Sequence, residues 1–459
     1  MRTYYVLINV LLVLSSLLVD NLTMFNYGHC WYFIQLFATL IFLYLSRAKF
    51  LIYLTPSFLS FIYLSLSSSF GHYVTSREIG LTDVYYTTLV NIHSMSMCVF
   101  VLLLSNFAII LSLFPILAKT KRVNLTGSFE SRSAQVGSSV IILLGLIGLL
   151  NFVNIDLSFV GLASRGYIFP IQLCLCIFLF LKIRYLQSKP RLFIYVILMA
   201  LTTIGNYDSK RQIFFILITI VFFECVINKA IFNNLKLNAK IIGLSLCAFV
   251  LFTYIILISS ILRGYGGYKF GGFFEANSFI FEYMKEDFFA DALVSNLELS
   301  SSYVNTVNPI NYVVSGEQDL LYGSTVVKGL FVLLPSSVIQ KPQSIINIYT
   351  SIFSPAFREE GGSLPVTLPA EFFWNFFVFS FPLLGLFYYL LNTFYLKLID
   401  GIVQNKYSLT HLMVFFLYAT FMQIVRGSGI DLWFAYCIIA LPFMIIFKRL
   451  FSENLGSKL

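Results

Sequence analysis

The sequence predicts an all-α polytopic membrane protein with about twelve transmembrane helices and one large loop on the outer face. Composition is the first observation behind this. Of 459 residues, 58% are hydrophobic and 11% charged, against about 25% charged in ordinary soluble domains, and the mean hydropathy is +0.85. The second is that apolar runs of about 17 to 25 residues, long enough to cross a ~30 Å hydrocarbon core as helices, recur along the chain. The third is the placement of basic residues between those runs, which alternates from one side to the other.

The expected spans cover residues 4–20, 30–45, 50–68, 88–115, 138–160, 167–185, 191–206, 211–227, 240–262, 371–396, 408–425 and 431–448. The opening "MRTYYVLINVLLVLSSLLVD" has a basic start and an apolar run but no clear small-x-small cleavage site, so it reads as a retained first span. The seventh and eighth spans are short and closely joined, which leaves a merged or re-entrant pair as the competing arrangement.

Loop charges orient the chain. With a cytoplasmic N-terminus, the inner side receives Arg2, Arg47, Lys49, Lys119, Lys121, Arg122, Arg132, Lys182, Arg184, Lys189 and Arg191. It also receives Lys229, Lys236, Lys240, Lys397, Lys406, Lys448, Arg449 and Lys458, against only Glu130, Glu224, Asp400 and Glu453. The positive-inside rule favours this orientation, with both termini cytoplasmic. Three regions follow: spans one to nine at 1–262, an outer loop at 263–370, and spans ten to twelve with a short tail at 371–459. Within the loop, "FFEANSFIFEYMKEDFFADALVSNLELSSSYV" has the apolar spacing of amphipathic helix at the interface, and "STVVKGLFVLLPSSVIQKP" is too short to span. A cap on the outer membrane surface is expected.

Several function classes are disfavoured. The net charge of +9 is spread over short loops without a continuous basic patch, so nucleic acid is not an expected partner. Cys30, Cys98, Cys174, Cys176, Cys225, Cys247 and Cys437 all fall in or beside apolar segments, which gives no disulfide framework or thiolate metal site. His29, His72, His93 and His411 lack metal-ligand spacing, and no H-E-x-x-H, P-loop or G-x-S-x-G occurs. No metal or other cofactor is expected. Neither a repeat of 20 to 50 residues nor inverted symmetry of the transporter kind is visible.

Five arginines fall on the expected outer face, most of them beside glycine: Arg165 in "ASRGY", Arg211 in "NYDSKRQ", Arg263 in "LRGYGG", Arg358 in "FREEGG" and Arg426 in "VRGSGID". A single arginine at a span end commonly snorkels to the headgroups. Five together point to an anionic ligand, because guanidinium pairs in a planar fork with phosphate oxygens and adjacent glycine admits backbone N–H groups to the same anion. Lipid-linked phosphate or pyrophosphate fits. Glu371 opens the tenth span among Phe372, Phe373 and Trp374, where a carboxylate is costly unless paired or used. Two roles stay open for it: a general base, or an anion that favours a helix N-terminus. Glu359 and Glu360 read as solvated loop acids. Tyr265, Tyr268 and Trp374 are candidate platforms for sugar rings, although most aromatics here pack or face lipid.

With these features the chain resembles the bacterial O-antigen polymerases, the Wzy-type oligosaccharide repeat-unit polymerases. Three segments carry the local likeness: "LYGSTVVKGLFVLLPSSVIQKP", "GGSLPVTLPAEFFWNF" and "VRGSGIDLW". The chain departs from the family where "NFFVF" stands at a position often followed by glycine. The resemblance implies a membrane-embedded, polyprenyl-linked glycosyltransferase of GT-C-like architecture in the bacterial inner membrane, with the large loop periplasmic. It also implies transfer of a growing glycan from undecaprenyl pyrophosphate to the non-reducing end of a new lipid-linked repeat unit, and a chain-length regulator and a flippase as pathway partners. Arg263 and Arg426, then Arg211 and Arg358, would neutralise pyrophosphate, with Glu371 as base or acceptor-orienting group. O-antigen ligase is the nearest alternative; ligases usually carry a histidine in the large outer loop, and residues 263–370 contain none. A lipid-linked oligosaccharide flippase or other transporter is the alternative without covalent chemistry.

Overall fold

The computed structural model describes residues 1–77, 94–120, 137–152, 164–184, 186–205, 210–227, 299–331, 341–403 and 407–451, with shorter pieces between 250 and 291. It is 84% helical, and no strand occurs among the described residues. In lipid every backbone polar group has to be satisfied within the protein, and helices do this segment by segment.

The N-terminal helices are α1 (Arg2–Leu17), α2 (Asn21–Tyr27), α3 (His29–Leu45), α4 (Phe50–Tyr53) and α5 (Pro56–Thr75). Local chemistry sets their starts. The Asp20 carboxylate accepts the Thr23 N–H at 2.9 Å ahead of α2, and Thr55 caps α5, whose first residue is Pro56. Next come α6 (Met95–Leu111), α7 (Phe114–Thr120), α8 (Ser138–Leu149), α9 (Ser164–Ile183), α10 (Ser188–Gly205) and α11 (Lys210–Ile227). The loop region holds α12 (Phe273–Ser278), α13 (Ile280–Tyr283), α14 (Leu299–Val314), α15 (Ser324–Lys328), α16 (Ile345–Phe353) and α17 (Pro355–Glu359). The chain closes with α18 (Leu368–Phe376), α19 (Ser380–Val403), α20 (Leu409–Arg426) and α21 (Ile430–Phe451).

Among the described residues, four segments are long and apolar enough to cross a membrane: Met95–Lys119, Leu368–Ile402, Leu409–Arg426 and Ile430–Phe451. Counted together, α2 and α3 form a fifth, bent by 59°. Helices also occupy the other expected stretches, but α1, α8 and the apolar parts of α9 and α11 are shorter than a full span. Most of residues 240–262 lie outside the described residues.

One large core joins α3 and α5 with α8, α9, α11 and α19 to α21. At its centre α9 is apolar all round: residues 173–181 are at most 2% exposed, as expected of a helix enclosed by others. It runs parallel to α21, since the Cys174 thiol points to Ala440 O at 3.8 Å while Phe178 meets the rings of Phe447 and Phe451 further along. Polar side chains tie helices together where no water competes. Asn392 Nδ2 donates to the hydroxyls of Ser57 at 2.7 Å and Ser112 at 3.1 Å, and Gln35 Nε2 donates to Leu103 O at 2.9 Å and Asn9 Oδ1 at 3.2 Å.

Part of the loop region packs against the other helices. Helix α14 lies against α5, α6 and α18, and Tyr303, Val304, Val307 and Ile310 are buried in a second core with Val13, Met24, Met95 and Cys98. Helix α14 begins within the stretch expected as amphipathic helix at the interface for its apolar spacing, sharing residues 299–304 with it. Its polar side instead finds partners inside: Thr306 Oγ1 accepts from the Thr367 hydroxyl at 2.9 Å, and Asn305 Oδ1 from the Tyr349 hydroxyl at 3.0 Å. The many serines of α5, with Ser60, Ser65 and Ser69 fully buried, allow the close approach, as small residues do between membrane helices.

Candidate functional site

Helix α18 begins after Thr367 with a proline in its first turn and ends at Phe377, whose φ of 48° breaks the helix before α19. The four-residue spacing from Glu371 to Asn375 sets both side chains on one face. That face is enclosed: Glu371 is 0% and Asn375 1% exposed.

Both Glu371 oxygens are held from inside the protein. The Thr325 hydroxyl of α15 donates to Oε1 at 3.0 Å, and the backbone N–H of Ile430, the first residue of α21, donates to Oε2 at 3.2 Å. Asn375 Nδ2 donates to the Glu371 carbonyl at 2.8 Å and to Thr325 Oγ1 at 2.9 Å. A carboxylate at the N-terminus of α21 meets donors that have no partner within the helix, at the positive end of its dipole.

The next residue adds a second carboxylate. Asp431 is 6% exposed; its Oδ2 pairs with Lys328 Nζ at 3.0 Å, while Oδ1 is buried without a hydrogen-bond partner among the described residues. The turn from α20 to α21 is built on glycine at two positions. Gly427 and Gly429 have φ of 111° and 82°, and a Cβ on Gly427 would lie 2.7 Å from the Val366 backbone. That close approach is used, because Gly427 O accepts the Val366 N–H at 3.0 Å. Arg426, half-buried, is the last residue of α20 before this turn.

The three segments quoted for their family likeness thus meet at one place: Thr325 and Lys328 from the first, Glu371 and Asn375 from the second, and Arg426 to Asp431 from the third. Compared with known proteins, the chain matches no family model, no curated protein and no solved structure.

The remaining sequence candidates are distributed otherwise. Arg358 lies in the last turn of α17 and donates to Gly362 O at 3.3 Å, closing its own loop. Trp374 is 1% exposed, donates its indole N–H to Asp319 O at 3.0 Å and packs near Tyr312. It therefore lacks the open face that stacking on a sugar requires and serves as a core residue, contrary to expectation. The backbones of Arg165 and Arg211 lie in the first turns of α9 and α11. Arg263, Tyr265 and Tyr268, together with His93 and Cys247, lie outside the described residues. His72 is 1% exposed; its Nε2 donates to Phe25 O at 2.8 Å, and its Nδ1 accepts the Tyr303 hydroxyl, which joins α14 to α5.

Sequence reasoning singled out Glu371 and Arg426 but missed Thr325, Lys328, Asn375 and Asp431. Asn375 was signalled by its spacing from Glu371. Asp431 stood two residues beyond the last glycine of a turn already noted. Nothing local distinguished Thr325 or Lys328, whose partners Glu371 and Asp431 lie on helices further along the chain.

Proposed function

We propose that this chain is a metal-independent polysaccharide polymerase of the O-antigen type. It would act at the outer face of the bacterial inner membrane in a twelve-span arrangement, on undecaprenyl-pyrophosphate-linked oligosaccharide. The observation that carries this is the meeting of the three family-like segments around Glu371, with an arginine on a glycine turn at their junction.

The chemistry asks for a group that neutralises the leaving pyrophosphate and one that takes the acceptor proton. The acceptor hydroxyl oxygen bonds to the anomeric carbon, the bond from that carbon to the pyrophosphate oxygen breaks, and the electron pair leaves with the pyrophosphate. Lys328 pairs with Asp431 at this junction and Arg426 ends the helix that leads into it; positive charge there would stabilise the departing anion. Glu371 has no exposed surface and both oxygens engaged, so its role is to position the turn that carries Arg426. Asp431, with one oxygen paired and the other without a partner among the described residues, is better suited to accept the proton, since a base must come within hydrogen-bond reach of it.

The test is deletion of the gene followed by resolution of the surface polysaccharide on a gel. Single-repeat lipopolysaccharide without a ladder, restored to a ladder by the intact gene, is the expected result. Complete loss of attached glycan would overturn the polymerase assignment in favour of ligase or flippase.

A further inference from the structure

Helix α19 carries its own measure of where the bilayer ends. No charged residue occurs between Glu371 and Lys397, and Phe379, Leu383, Leu386, Leu390 and Phe394 are exposed along the way. Their spacing of three and four residues puts them on one helix face. The segment is apolar enough to cross a membrane, so lipid chains cover this face. The stripe gives way to exposed Lys397. Counted back from there, a hydrocarbon core of about 30 Å takes about 20 helical residues and leads to Phe377. The helix breaks at that residue, and Phe377, Val378 and Phe379 are all exposed.

The 263–370 region reaches the same level. The Leu321 N–H donates to Trp374 O at 3.0 Å, the Trp374 indole donates to Asp319 O at 3.0 Å, and a Cβ on Gly323 would lie 3.3 Å from the Phe376 ring. Residues 319–323 therefore run beside 374–376, immediately ahead of the break. Tyr322 stands between two of these contacts, 83% exposed and with a φ of 48°. Phe377 has the same φ, and among the described residues Arg47 is the one other non-glycine with a positive φ. This conformation is costly for a bulky side chain, and it persists where the surroundings or a function hold it.

An open ring with a hydroxyl, placed at the end of a lipid-facing stripe, suits the boundary between acyl chains and headgroups. Tyrosine collects there because its ring is apolar and its hydroxyl is wet. We propose that Tyr322 and the Phe377–Phe379 turn form a surface that docks into this boundary of the bilayer. The docking seats α15 at the level of the lipid headgroups, and with it Thr325 and Lys328, which follow Tyr322 in the chain.

The test is Tyr322→Trp in the full-length chain, reconstituted into phosphatidylcholine vesicles, with the parent's emission from Trp31, Trp374 and Trp433 subtracted. Lipid brominated near the carbonyl end of its chains should remove at least half of the added emission. Lipid brominated near the methyl end should remove less, and so should iodide present on both sides of the membrane. Stronger quenching by iodide than by either brominated lipid would put the ring in water, as a sugar platform or a raised cap requires, and would overturn the proposal. Equal or stronger quenching from the methyl end would overturn the boundary depth. If Tyr322→Trp does not fold, Phe379→Trp decides: its added emission should fall with brominated lipid and resist iodide, and the reverse would overturn the surface.

Discussion

The Glu371 carboxylate accepts the backbone N–H of Ile430 at 3.2 Å, although the two residues are 59 positions apart and open different helices. This bond and the one from Thr325 make Glu371 the junction of α15, α18 and α21. With Glu371 at 0% exposure, both donors rely on it for a partner.

Replacing Glu371 with glutamine keeps the size but turns one acceptor into a donor. The amide can accept from Thr325 or from Ile430, not from both, so one donor is left without its partner at a cost of about 1–3 kcal/mol. Glu371→Gln should lower the thermal midpoint and abolish the polysaccharide ladder together. A full ladder at normal stability would remove Glu371 from the site.

Asp431→Asn tests the proton acceptor. The carboxylate is paired on one side with Lys328, the two side chains being 8% and 21% exposed, so loss of its charge costs more than the about 1 kcal/mol of an exposed pair. The ladder should vanish, with membrane abundance near that of the parent and a thermal midpoint below it. An intact ladder in this variant would exclude Asp431 as the proton acceptor.

Glycine at 427 is required twice, by its φ of 111° and by the nearness of Val366. Gly427→Ala should destabilise by more than the ~1 kcal/mol expected of backbone strain alone. Gly316 supplies the comparison, with a φ of 73° and nothing within 4 Å of an added Cβ. Thermal unfolding of the two alanine variants should rank Gly427 well above Gly316 in cost.

Tyr303→Phe removes the hydroxyl that reaches His72 and should loosen α14 from α5 at a cost of about 1–2 kcal/mol. Limited proteolysis should then cut the 263–370 region faster. An unchanged cleavage rate would show that apolar packing alone holds the helix.

Much of the helical layout was legible in the sequence because membrane helices satisfy their backbones within themselves, so runs such as those at 408–425 and 431–448 announce α20 and α21 directly. The burial of α14 was not legible. Its Asn305, Thr306 and Asn311 look like surface residues until Tyr349, Thr367 and Ser94 are seen to meet them. Trp374 was misjudged for a related reason: an aromatic ring at a helix start is equally suited to a sugar and to a core, and only its neighbours separate the two.

By itself the sequence determined that the chain is helical and apolar enough to span a membrane, that arginine and glycine mark the turn after α20, and that a carboxylate opens α18. Those properties reside in composition and short spacings. The tertiary structure decided that this carboxylate is enclosed, that Thr325 and Ile430 hold its two oxygens, and that Asp431 pairs with Lys328 beside it. Such facts depend on helices brought together across long stretches of chain, where hydrogen bonds form between residues whose separation in sequence carries no sign of their contact.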